Sequence, residues 1–133
     1  MLMLAFLVII AAGLWLVTAA VLMALRPHFC LRLLEKMSSN LKASNWRLNL
    51  TEQGLRLLAG AALIVHAPAS KLPIVFEISG WLVVVSSTLI LAMPIRWHGV
   101  YGLWWARRLS PLTIRLLSPM PAAAGLGMIY GAV

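Results

Sequence analysis

Acidic residues are scarce in this chain: Asp and Glu together number three among 133 residues, against eleven Lys and Arg. So few carboxylates provide no pair for general acid and base catalysis. The sequence also has no Ser, His and Asp set, no glycine loop that would cradle a phosphate, and no metal-ligand spacing. A single cysteine, Cys30, excludes an intramolecular disulfide, a cysteine zinc cage and an iron–sulfur cluster within one chain. We therefore expect a protein that is not an enzyme and holds no metal.

Charge of either sign is low, and apolar residues take its place. Charged residues make up 11% of the chain and hydrophobic residues 62%, and the mean hydropathy is +0.96. Soluble domains carry about 25% charged residues. A domain this small cannot hide so much apolar surface from water, because its surface is large relative to its volume. The composition predicts an all-α integral membrane protein with a single membrane domain over residues 1–133.

Four apolar segments predict transmembrane helices. The first would be about 35 Å long as a helix, which is enough to cross the hydrocarbon core of a bilayer. Glu52 follows Asn49 by three residues and predicts a capping box at the start of the second. The last segment is short for a full crossing. The predicted spans are 3–25, 50–67, 74–93 and 119–133.

Two amphipathic segments, 28–48 and 95–117, are expected to connect these spans at the membrane surface. In the first of them, Cys30, Leu33 and Leu34 recur with helical spacing, opposite a basic side. A basic amphipathic helix is typical of a segment that rests on anionic lipid. We therefore expect anionic membrane lipids as partners.

Positive charge is unevenly distributed, and this predicts the orientation. Ten of the eleven Lys and Arg residues lie in or beside the two amphipathic connections, and Lys71 lies between the second and third spans. Cytoplasmic loops carry the excess of Lys and Arg, so both termini should face away from the cytoplasm. Because the charges adjoin apolar spans, they indicate lipid headgroups and not nucleic acid. We expect the bacterial inner membrane as the location.

The two halves of the chain show the same order of features. Each has an apolar span, a proline with Arg and His close by, a basic amphipathic connection and a helix rich in Ala and Gly. This order predicts a loose internal duplication. Since each unit would contain two spans, the halves would be parallel repeats related about the membrane normal.

The segment 96–109 has two different faces when it is drawn as a helix. Its tryptophans suit the headgroup zone, and its arginines match a phosphate bidentately. A general aromatic belt with positive-inside charge would explain the same residues. The predicted headgroup-binding residues are Arg96, Trp97, Trp104, Trp105, Arg107, Arg108 and Arg115.

Small residues at helical spacing predict surfaces for close helix packing. One set lies opposite the tryptophans of segment 96–109, and the other is spaced by four residues near the C-terminus. These predicted packing residues are Gly99, Gly102, Ala106, Ala123, Gly127 and Gly131.

Histidines supply two further candidate sites. His28 and His98 each follow the end of a predicted span, so they would lie at matching depth and suit the two axial positions of a haem. Ordinary interfacial histidines explain them as well. His66, Lys71 and Glu77 predict an ion pair at the outer interface, with a proton route as the alternative.

These observations favour a non-catalytic accessory, assembly or stabilising subunit of a larger membrane protein complex. Small-residue stripes and a tryptophan-rich helix offer packing surfaces to other membrane subunits or to a second copy. An alternative is a lipid-handling or small-solute transport component that grips an anionic headgroup through the Arg and Trp segment. A third hypothesis is a haem or pigment carrier.

Overall fold

The computed structural model describes residues 1–42 and 46–133, and the regular structure in these ranges is helical. Proline stands at the first position of several helices, where its missing N–H costs nothing because that group has no partner within the helix. The helices are α1 (Leu2–Leu25), α2 (Pro27–Lys42), α3 (Trp46–His66), α4 (Pro73–Ala92), α5 (Ile95–Arg108), α6 (Pro111–Leu117) and α7 (Pro119–Ala132), with a 3-10 turn at Ala67–Ala69.

Three helical stretches in the described ranges are long and apolar enough to cross a bilayer. They are Leu2–Leu25, Pro73–Ala92 and Pro111–Ala132. Helix α3 has a similar length of 21 residues, but Glu52, Gln53 and Arg56 make its first half polar. The expectation of an all-helical protein with apolar helices of membrane-spanning length is confirmed.

The long helices pack as two antiparallel pairs, and each pair meets at glycines. Helix α1 runs along α6 and α7, where a Cβ on Gly13 would lie 2.9 Å from the carbonyl oxygen of Gly125. Helix α3 runs along α4, where a Cβ on Gly60 would lie 3.0 Å from the carbonyl oxygen of Gly80. These distances are too short for a side chain, so glycine permits the close approach of the backbones.

The packing places different parts of the chain at the two ends of the bundle. The terminal end holds the start of α1, the turn between α3 and α4, and the C-terminus, and its core includes Ile9, Leu63, Phe76 and Ala132. There the backbone N–H of Lys71 donates to the Gly131 carbonyl oxygen at 2.9 Å. At the opposite end α2 packs against α5, and we call it the α2–α5 end.

The last long stretch begins earlier than the predicted span 119–133. Helices α6 and α7 follow one another with little change of direction, because Ser118 between them keeps helical dihedral angles. Pro111 and Pro119 occupy first-turn positions and do not interrupt the run. The amphipathic connection predicted at 95–117 therefore ends at Arg108 as a helix, and α6 belongs to the last long stretch.

The second predicted span also begins elsewhere. Helix α3 starts at Trp46, so the capping box predicted at Asn49 and Glu52 is wrong. Asn49 lies inside the helix and is buried, while Glu52 pairs with Arg56 at 3.1 Å. The connection predicted at 28–48 is helical over Pro27–Lys42, and its residues 43–45 lie outside the described residues.

Candidate functional site

Basic side chains line a cleft at the bend between α1 and α2. Arg26 caps α1, His28 and Arg32 lie one turn apart on α2, and Arg115 reaches in from α6. The cleft has a volume of about 490 Å³, and its apolar lining includes Phe29. We call it the basic cleft.

Arg115 is held in place within the basic cleft. Its Nε–H donates to the carbonyl oxygen of Ala24 at 3.0 Å, across 91 positions of sequence. Ala24 lies in the last turn of α1, where carbonyl oxygens have no partner within the helix. The remaining N–H groups of the Arg115 guanidinium stay available to the cleft.

The predicted headgroup site is thus divided between two places. Arg115 belongs to the basic cleft, while Trp104, Arg107 and Arg108 line a second cavity of about 350 Å³ on α5. The guanidinium of Arg108 lies 4.1 Å from the centre of the Trp104 ring. This geometry suits a cation–π contact and places one fixed charge beside an aromatic surface.

The tryptophan face of α5, formed by Trp97, Tyr101, Trp104 and Trp105, is exposed. Trp104 and Trp105 meet edge to face, with ring centres 4.9 Å apart. Arg96 is also exposed, at the start of the same helix. Exposed amphipathic rings of this kind suit the headgroup zone of a membrane.

The opposite side of α5 carries small residues and meets α2. Gly99 is buried and Ala106 is half-buried. A side chain on Gly102 would collide with the side chain of Ser38, which is itself buried. Small residues here let α5 lie close to α2 and leave the tryptophans facing outward.

The sequence spacing predicts that the small residues of α7 form one packing surface. In the structure they do not. Gly131 contacts the ring of Phe76, but Gly127 has open space where a side chain would be, and Ala123 is exposed. The close approach to α1 is made by Gly125 instead. Spacing by four residues follows one side of α7, whereas the neighbouring helices contact it on different sides.

The three histidines lie in three different environments. His28 is exposed in the basic cleft, and His98 is half-buried, with its Nδ1 3.1 Å from the Asn49 side-chain oxygen. His98 is not among the residues that line the cleft of His28. His66 is buried, and its Nε2 lies 3.3 Å from the Ala132 carbonyl oxygen. The structure does not bring two histidines to one cavity as axial haem ligands.

The predicted outer ion pair is not formed. Among the described residues, the recorded ion pair joins Glu52 and Arg56. Lys71 lies over the ring of Tyr130 instead, with its Nζ 4.7 Å from the ring centre. Glu77 is exposed on α4. In the described ranges, no three His, Cys, Asp or Glu side chains come together where they could hold a metal ion.

A row of buried polar residues along the α3 and α4 seam was missed at the sequence level. Gln53 and Ser87 are fully buried, and their side-chain polar atoms have no hydrogen-bond partner. Gln53 precedes Gly60 by seven residues and Ser87 follows Gly80 by seven, so antiparallel packing places both at the same level. Asn49 lies one turn before Gln53, towards the N-terminus of α3. Gln53 and Ser87 each lie seven residues from a glycine of the α3 and α4 contact, and this spacing is the feature of the sequence that could have predicted them.

Comparison with known proteins adds no family to this description: no protein-family model, curated protein or solved structure matches the chain.

Proposed function

We propose that this protein is a non-catalytic subunit that stabilises a larger membrane protein assembly. The observation that carries the proposal is a small-residue face on α7, formed by Ala123, Ala124 and Gly127. Both alanines are exposed, and nothing lies within 4 Å of where a Gly127 side chain would be. The glycines at the contacts between described helices, by contrast, face atoms of the chain itself: Gly13, Gly60, Gly80, Gly102, Gly125 and Gly131. A small-residue face on an apolar helix favours contact with another transmembrane helix.

The proposal includes a fourth span and an internal repeat. Helix α3 would be about 31 Å long and packs along α4 and α1, which supports a crossing. Gly13 and Gly80 are separated by the same 67 positions as Pro27 and Pro94. The contact of α1 with α7 corresponds to the contact of α4 with α3 under this offset, which supports two parallel repeats.

The test compares two substitutions on α7 by native mass spectrometry of protein extracted from its own membrane in mild detergent. We expect the unaltered protein to carry a protein partner at fixed stoichiometry, and Gly127→Leu to lose it, because leucine would fill the small-residue face. The matched control is Leu126→Phe, at an exposed position one residue away. A single copy without protein partner, or a partner retained by Gly127→Leu, would contradict the proposal.

A second candidate function is the handling of an anionic lipid at the α2–α5 end. The observation that favours it is the cavity on α5 in which Arg107 and Arg108 lie beside Trp104. An aromatic ring next to two guanidinium groups suits the interface between acyl chains and phosphate headgroups. This function requires lipid binding by the isolated chain, whereas the subunit function requires a protein partner.

A further inference from the structure

We infer that the basic cleft, formed by Arg26, His28, Arg32 and Arg115, is a binding site for a phosphate group. This site differs from the Arg and Trp cavity on α5 and does not depend on the subunit function proposed above. Its volume of about 490 Å³ lies in the range of ordinary ligand pockets.

The charge of the cleft is the first argument. Three guanidinium groups and an imidazole line it, and no Asp or Glu is among the lining residues. The ion pair recorded among the described residues, between Glu52 and Arg56, lies on α3 and does not offset this charge. Guanidinium groups that share a cleft repel one another, and an anion bound among them relieves this repulsion.

The geometry of the donors is the second argument. Arg115 is fixed by its hydrogen bond to the Ala24 carbonyl oxygen, so less side-chain freedom is lost when it binds a ligand. His28 and Arg32 are four residues apart on α2 and therefore point from the same side of the helix. Planar guanidinium groups donate two parallel hydrogen bonds to phosphate oxygens, which favours phosphate over a small spherical anion.

Prolines begin the helices on both walls of the cleft. Pro27 is buried and begins α2 immediately after Arg26. Pro111 begins α6 on the other wall of the cleft. Proline fixes its own φ angle, so the backbone has less freedom where each wall begins. The cleft is present in the structure without a ligand.

The surroundings of the cleft favour a phosphate that is attached to an apolar chain. Leu25, Phe29 and Leu112 line the cleft and remain exposed. Leu25 ends an apolar helix of membrane-spanning length, which places the cleft where headgroups begin. An anionic phospholipid would set its phosphate among the arginines and its chains along these apolar residues. Inorganic phosphate would bind the arginines in the same way as the headgroup phosphate, but it has no apolar chain to contact the leucines and Phe29.

The first arm of the test uses nanodiscs that contain phosphatidylcholine with phosphatidylglycerol, and native mass spectrometry counts the lipids that stay bound. We expect the unaltered protein to retain phosphatidylglycerol preferentially, and the double variant Arg32→Gln with Arg115→Gln to retain it at least fivefold less. The matched control is Lys36→Gln, which removes one charge from an exposed position one turn further along α2, outside the cleft. Circular dichroism checks that all variants keep their helical content.

The second arm uses inorganic phosphate, observed by phosphorus NMR with the protein in zwitterionic detergent. Saturable binding that the double variant loses would support a site for the phosphate group itself, whether or not lipid is also retained. Lipid retention without phosphate binding would support a lipid headgroup site. Failure of both ligands to bind, or a loss in Lys36→Gln as large as in the double variant, would overturn the inference, because the charge would then act diffusely.

Discussion

Among the described residues, three cations lie over aromatic rings. Arg47 lies over Trp46, Lys71 over Tyr130 and Arg108 over Trp104, while the ion pair among the described residues is that of Arg56. Eleven Lys and Arg face three acidic residues, so most cations have no carboxylate to pair with. An aromatic ring attracts a cation without adding a charge, which suits a boundary between water and lipid.

Cys30 is half-buried on α2. Burial raises the pKa of the Cys30 thiol, because a less hydrated site disfavours the thiolate. Since the thiolate is the nucleophile, we expect Cys30 to react with a maleimide more slowly at pH 7 than an exposed cysteine on the same helix, and faster as the pH rises. The comparison is Cys30→Ser with Ser39→Cys, because Ser39 is exposed on α2.

The measurement is the rate of maleimide labelling in detergent between pH 7 and pH 9. In denaturing detergent both cysteines should react alike, which controls for reagent quality. Equal rates at pH 7 in the folded protein would show that the Cys30 thiol is not protected.

At the scale of elements, the α3 and α4 seam contains two kinds of buried polar residue. Asn49 is paired with His98 at 3.1 Å, whereas Gln53 has no partner for either atom of its amide. We expect Asn49→Leu to lower the free energy of unfolding by about 1–3 kcal/mol, because it removes the partner of His98. We expect Gln53→Met to leave stability unchanged or to raise it, because it removes buried polar atoms at nearly constant volume.

Unfolding of the two variants in mixed detergent micelles, followed by circular dichroism, measures both effects. Ser86→Ala on α4 is a suitable reference, because Ser86 is exposed and bonds only to the Val83 carbonyl oxygen of its own helix. A loss in Gln53→Met as large as in Asn49→Leu would mean that the Gln53 amide is paired in the membrane.

The bounds of helices with long apolar runs could be predicted closely from the sequence. The bounds of helices that mix polar and apolar residues could not. The predicted spans 3–25 and 74–93 match α1 and α4 within one residue at each end, because each is a long apolar run that a proline follows closely. The C-terminal boundary was misplaced because Pro111 is as compatible with a helix start as with a break. Hydrophobic pattern alone does not distinguish these two roles of proline.

The candidate sites were predictable only where their residues are neighbours in sequence. The small and aromatic faces of α5 follow from helical spacing, and the structure places Gly102 against Ser38 and the tryptophans outward. The sequence groups Arg115 with the tryptophans because it lies ten residues beyond Trp105. Its actual neighbour, Ala24, is 91 positions away, and that proximity arises from the packing of α6 on α1.

The whole molecule has chemically different ends, and this predicts how it sits in a membrane. The turn at Ala67–Ala69 lies at the terminal end, while α2 and α5, which carry most of the basic residues, lie at the other. Basic segments remain in the cytoplasm, so the terminal end should face outward. We therefore expect Ala69→Cys, in a Cys30→Ser background, to react with an impermeant thiol reagent in intact cells, and Ser39→Cys to react only after permeabilisation.

The same experiment tests whether α3 crosses the bilayer. Ser39 on α2 and Ala69 after α3 are separated by one long helix, and both are exposed. If α3 spans the membrane, the two cysteines must react from opposite sides. If both react from one side, α3 lies within one leaflet, and the polar residues in its first half would be the physical reason. If Ser39→Cys alone reacts in intact cells, the arginines face outward and the positive-inside orientation is wrong. The proposal of four membrane spans would not be affected by that result.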